Sequence, residues 1–259
     1  MISYLGKTKL KTMFVKEIEN HRKLDMIIQG TYGQENGTWK GCAVGCSIHS
    51  LNIKLKKNYS TSDHSVYEKE LGIPEWLARL EDIIFEGLSV EESKKWPEQF
   101  AKAIPVGVNL EPVKWKFCAF ILKENIELVL TLKISDELKK QVVDSIRGVL
   151  RLNESAIKTG IWDDSAAESA ARSAESAARS AAWSAESAAE SAESAARSAA
   201  WSAESAARSA RSAAWSAAWS AESAARSAES AAWSAESAAR SAAYTKYAKE
   251  LLRLIKLQK

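Results

Sequence analysis

Past Gly160 the chain contains no glycine, no proline, no cysteine and no histidine. That stretch therefore lacks the residues that most often break or turn a helix, and it lacks the soft metal ligands. All 11 glycines, four prolines, three cysteines and three histidines lie at or before Gly160. Two compositions share the 259 residues, which places a domain boundary at 160: a head, 1–160, and a Ser/Ala/Trp repeat tract, 161–259. Cysteine is scarce and odd in number, without disulfide-framework spacing, which fits a reducing compartment. No run of 18 apolar residues occurs, and "MISYLGKTKLKTMFVKEI" has no leader pattern. The expectation is a soluble, cytoplasmic chain for which a membrane is not an expected partner. Excess charge of one sign is also missing. The net charge is +3, and residues 165–243 carry nine Glu against seven Arg, so no nucleic-acid partner is expected.

What the head contains is helical periodicity. Leu10, Phe14, Ile18, Leu24 and Ile28 recur at helical spacing from Lys7 to Gln29, where Gly30 ends the run. Asp63 caps "HSVYEKEL", and Pro74 opens "EWLARLEDIIFEGL", with Trp76, Leu77, Leu80, Ile84 and Leu88 along one face. Ser89 with Glu92 makes a capping box. Pro112 starts "VKWKFCAFILKENIELVLTL", part of which could be a strand, although helix is favoured; Ser135 caps "DELKKQVVDSIRGVLRL". The fold class is all-α: a head of five or six helices with an irregular Gly/Cys-rich segment at 30–62, in which "CAVGCSIHSLNIKL" could form a short strand pair.

Chemistry, if present, belongs to that segment. Cys42, Cys46, His49 and His64 could complete a tetrahedral zinc site, although their spacing departs from the usual C-x2-C knuckle. Alternatively Cys42 is a nucleophile, with His64 as base and Glu68 orienting the imidazole. The simpler reading packs small cysteines beside Gly41 and Gly45, where backbones approach closely, and places Cys118 in the core with Phe117, Phe120 and Ile121. The lysines at 7, 9, 11 and 16, and at 54, 56 and 57, read as a solvated face.

The tract keeps a register. Between Ser165 and Ser241, 21 serine-to-serine intervals cover 76 residues, a mean of about 3.62 against 3.6 for an α-helix. Serine, alanine and the charged residues then occupy three separate faces, and Trp183, Trp201, Trp215, Trp219 and Trp233 fall within a stripe about 40° wide. Six Glu-to-Arg pairs stand at i,i+4 in the favourable direction: 168–172, 175–179, 193–197, 204–208, 222–226 and 236–240. Each contributes about 0.2–0.5 kcal/mol to a helix. With Asp163 or Asp164 as cap, 161–258 is expected to be one straight rod on the order of 147 Å long. Its period exceeds 3.5, which disfavours a left-handed coiled coil. The Ala/Ser face is wide and small, so a homo-oligomer is expected, with the tryptophans packed against a neighbouring helix; a hairpin has no turn residue to mark it. The basic end, "YTKYAKELLRLIKLQK", reads as docking or helix termination.

"GTYGQENGTWKGCAVGCSIHS", "HSVYEKELGIPEWLARLEDIIFEGL" and "KAIPVGVNLEPV", followed by an alanine-rich tail, resemble a set of uncharacterised bacterial and phage proteins, across residues 1–110. The resemblance implies no activity and assigns no site residue. The tail alone is similar to alanine-rich helices of bacterial immunity proteins and of type I antifreeze proteins, but here serine comes every turn and tryptophan interrupts. The resulting expectation is a non-enzymatic scaffold or interaction protein whose tract assembles it or acts as a spacer, while the head binds a protein partner. A Cys/His metal or thiol enzyme is the alternative, with zinc as the cofactor, and an ice- or surface-binding helix is a third.

Overall fold

The computed structural model describes residues 1–36, 38–166 and 238–258, together with the isolated positions 168, 169, 172, 175 and 179. The described residues are mostly helical, as expected of an all-α chain. A single 3-10 turn, Ser3–Gly6, precedes α1 (Thr8–Lys23); then come β1 (Gln34–Asn36), β2 (Thr38–Lys40), α2 (Ala43–Leu55), α3 (Ser65–Leu71), α4 (Glu75–Gly87), α5 (Val90–Ser93), α6 (Trp96–Ala103), α7 (Glu111–Thr131) and α8 (Asp136–Thr159). A C-terminal helix follows at 238–256.

Local signals account for most boundaries. The Ser89 hydroxyl accepts the Glu92 N–H at 3.3 Å and donates to the Glu92 carboxylate at 2.9 Å, so the expected Ser–Glu pair opens α5, with the carboxylate on the hydroxyl rather than on the Ser89 N–H. Ser135 accepts the Leu138 N–H at 3.3 Å ahead of α8, and Asp63 accepts the Ser65 N–H at 3.0 Å ahead of α3. Lys11 donates to the Lys102 and Ile104 carbonyls at 2.9 and 2.6 Å, so this member of the expected solvated face ties down the end of α6.

Two expectations need correction. The first helix ends at Lys23 rather than running to Gln29, because Ile28 N–H and Gly41 N–H bond across to Gly41 and Met26 carbonyls, at 2.9 and 3.0 Å, and pull 26–28 into extended chain. "CAVGCSIHSLNIKL" is α2, not a strand pair; the strand pair is β1–β2, with Gln34 opposite Lys40 and Glu35 opposite Trp39. Two compact units divide the chain: 1–121 with 153–161 and 239–259, and 122–152 with 162–238. The rod expected over 161–258 lies largely outside the described residues; among those described a single very long helix is not shown, and the longest helices are α8 with 24 residues and α7 with 21.

Where the tract starts, the sequence reading holds residue by residue. Asp163 accepts the Ala166 N–H at 2.9 Å, Arg172 pairs with Glu168 at 2.9 Å, and Arg179 pairs with Glu175. Apart from Arg240, the four later Glu–Arg pairs and all five stripe tryptophans lie outside the described residues.

In the first unit, α1 packs on α2 and α6, and α4 packs on α2, α3 and α6. Trp96, Tyr4, Tyr67, Phe14, Phe85 and Phe100 are the largest fully buried side chains. Leu251, Leu254 and Ile255 of the C-terminal helix belong to the same buried cluster. Thr245 donates to both Glu92 carboxylate oxygens, at 3.0 and 2.9 Å, Tyr247 meets Phe120 edge to face, and the Tyr244 ring lies on Gly87 where a Cβ would intrude. Leu251→Ala is expected to lower stability by about 2–5 kcal/mol, and Gly87→Ala by about 1–3 kcal/mol. Urea denaturation measures the losses, and hydrogen exchange should report faster exchange at 238–256 in both variants.

Candidate functional site

The segment expected to be irregular is pinned at many points. Gln29 donates to the Phe85, Glu86 and Leu88 carbonyls at 2.8, 3.3 and 3.0 Å, closing the C-terminus of α4 with a side chain. Gly30 N–H answers by donating to both Glu86 carboxylate oxygens, at 3.1 and 3.0 Å. Cys42 N–H then reaches the Thr31 carbonyl at 2.7 Å, and the Tyr32 backbone lies where a Cβ on Gly45 would sit. Glycine is required at 45 for this close approach, as the sequence reading held.

Those contacts bring Cys42 to the start of α2, where its sulfur accepts the Gly45 N–H at 3.3 Å. Facing it from α4 are Asp82 and Glu86, one turn apart on one face. The ligating atoms of Cys42, Asp82 and Glu86 all lie within 4.8 Å of one another. Asp82 Oδ2 accepts the Tyr32 hydroxyl at 2.9 Å and bonds His64 Nε2 at 3.2 Å. His64 Nδ1 stands 3.1 Å from the Ser62 carbonyl. Both ring nitrogens of His64 thus face oxygen atoms. Asp82 Oδ1, in a residue only 8% exposed, has no donor.

The electrostatics follow from this packing. Burial pushes the Cys42 thiol up, and the neighbouring Asp82 charge pushes it further. Burial also works to raise Asp82, but its contacts with His64, Cys42 and Tyr32 outweigh that and hold it below the usual carboxylate range. Tyr32 is pushed up to about 12 by burial and by its bond to Asp82. A protonated, strongly raised thiol is a poor nucleophile.

Next to Asp82, Glu81 is fully buried. The Tyr67 hydroxyl lies beside it, yet neither carboxylate oxygen reaches hydrogen-bond geometry with a donor. Burial raises Glu81 well above the carboxylate range, so it is a neutral acid in the core.

The other sequence candidates go elsewhere. Cys46 donates to the Gly41 and Met26 carbonyls, at 3.4 and 3.5 Å, and burial pushes it up to about 12. His49 stacks on Trp39 with ring centroids 4.1 Å apart. Glu68 accepts the Glu75 N–H at 3.2 Å, while the carboxylate that orients His64 is Asp82. Cys118 is half-buried and its thiol is free. Among the described residues, the group of metal-ligating atoms therefore combines Cys42 with Asp82 and Glu86, rather than with Cys46, His49 and His64. Sequence reasoning missed both acids and Tyr32. A signal existed: Glu81 stands between Leu77 and Ile84 in the apolar stripe of α4, and Asp82 stands between Ala78 and Phe85, so two acids occupy core-facing positions.

No protein-family model, curated protein or solved structure matches this chain. No described helix is long and apolar enough to cross a membrane.

Glu81 gives a pH prediction. Its folded pKa is raised, so the folded state holds a proton that the unfolded chain releases above the ordinary carboxylate range. Its contribution is fully present below the unfolded pKa and is lost as pH rises toward the folded value, at up to about 1.4 kcal/mol per pH unit. Denaturant midpoints of Glu81→Gln against the parent should diverge with rising pH, in favour of the variant. Parallel curves would contradict the neutral assignment.

Proposed function

We propose that this chain is a non-enzymatic interaction protein in which the head clasps both ends of the Ser/Ala tract and the tract mediates self-association. The observation that carries this reading is the common membership of 153–161 and 239–259 in one compact unit, with Leu251, Leu254 and Ile255 buried there. In this proposal the tract forms antiparallel helical arms whose Ala and Ser faces pack on each other and on a second copy, with Trp183, Trp201, Trp215, Trp219 and Trp233 flanking the contact. Small side chains permit close approach and dispersion contact along the whole length. Serine at every turn adds hydroxyls that can bond across. The head remains available for a protein partner.

Sedimentation velocity on the full chain tests this proposal. A defined oligomer is expected, and Ala199→Glu with Ala217→Glu, both at the centre of the alanine face, should convert it to monomer. A parent chain that is monomeric with a high frictional ratio would overturn the assembly role.

The second reading, a metal- or thiol-dependent activity in the head with zinc as its cofactor, is favoured by the buried Cys42–Asp82–His64 grouping.

A further inference from the structure

Asp82 uses one carboxylate oxygen for Tyr32 and His64 and leaves the other buried without a donor. An unpaired buried carboxylate oxygen is costly, and natural structures rarely keep one without a purpose. Two further anionic or potentially anionic groups, Cys42 and Glu86, approach within 4.8 Å of it. The His64 ring bonds the other oxygen. The arrangement is thus a close set of mixed sulfur and oxygen ligands.

We propose that Cys42, Asp82 and Glu86 form a zinc-binding site on the head, with the metal as a fourth partner to Asp82. Zinc accepts thiolate and carboxylate together, in tetrahedral geometry with ligand atoms about 3.5 Å apart. Contraction from the observed spacing falls to Glu86, whose side chain is exposed and which marks the route of entry. Supporting contacts are already in place around each ligand. The Gly45 N–H donates to the Cys42 sulfur, and the start of α2 favours a thiolate there. Tyr32 and His64 orient Asp82, while Gly30 N–H holds Glu86. Such surroundings fix ligand direction and charge in metal sites. Metal binding would also release the thiol proton that burial and Asp82 hold on Cys42. Three protein ligands leave the fourth position to water. The site draws nothing from the tract, so it stands independently of the assembly role.

The experiment is a Co²⁺ titration of the full chain under reducing conditions, without an affinity tag, followed by displacement with Zn²⁺. One equivalent of Co²⁺ should produce a thiolate-to-cobalt charge-transfer band that Zn²⁺ removes. Cys42→Ser should abolish the band, whereas Cys46→Ser and Cys118→Ser should keep it. Tyr32→Phe should weaken binding by about tenfold. Because Cys42 is buried and its variant can fail to fold, circular dichroism accompanies each titration, and the exposed Glu86→Gln serves as the second variant, expected to weaken binding at least about tenfold. Absence of a saturable band in the parent chain overturns the proposal. So does a band that survives in folded Cys42→Ser, or an unchanged affinity in Glu86→Gln.

Discussion

The burial of the C-terminal helix in the head is the contact on which the rest of the architecture depends. Leu251, Leu254 and Ile255 enter the same core as Trp96, Phe85 and Phe100, while Thr245 bonds the Glu92 carboxylate that also completes the capping box of α5. Those apolar side chains are withdrawn from water only when residues far apart in sequence come together. On the proposed reading, that docking holds the Ser/Ala tract at both ends rather than leaving it a free extension.

Helix α4 is the hub of the head. Leu77, Ala78, Ile84 and Phe85 face the core, its C-terminus is closed by Gln29, and its Gly87 receives the Tyr244 ring. The same helix brings Glu81, Asp82 and Glu86 into or beside that packed interior. Burying one acid neutral and another ionised costs stability unless neighbours compensate. His64 and Tyr32 compensate Asp82, whereas Glu81 compensates by staying protonated. The investment is concentrated against Cys42, which is where chemistry in the head would be sought.

Much of the local structure was legible in the sequence, because caps and periodicity act over a few residues. Ser89 with Glu92, Ser135, Asp63 and Asp163 all make the side-chain bonds their positions suggested. Long-range contacts were not legible. The bridge of Met26 and Ile28 to Gly41 shortens α1, and Gly-rich "GCAVGC" reads locally as a breaker although Gly45 serves close backbone approach within α2 and Gly41 serves it just ahead of that helix. Asp82 pairs with His64 across 18 residues, beyond the turn-by-turn reach that suggested Glu68. For the tract, register argued for one rod, and that stretch lies largely outside the described residues. The docking of the C-terminal helix was not legible either: it sits in an amphipathic stretch whose apolar partner lies more than a hundred residues away.

The account's central claim is that one head holds both ends of the tract, and energy transfer between dyes at Ile161→Cys and Ala239→Cys, with Cys118→Ser to remove the half-buried thiol, tests it most directly. Ends held in one compact body stay within about 40 Å, so strong transfer within single molecules is predicted. A continuous helix between the same positions would separate them by on the order of 117 Å. Absence of transfer at a dilution where chains are monomeric would contradict the account.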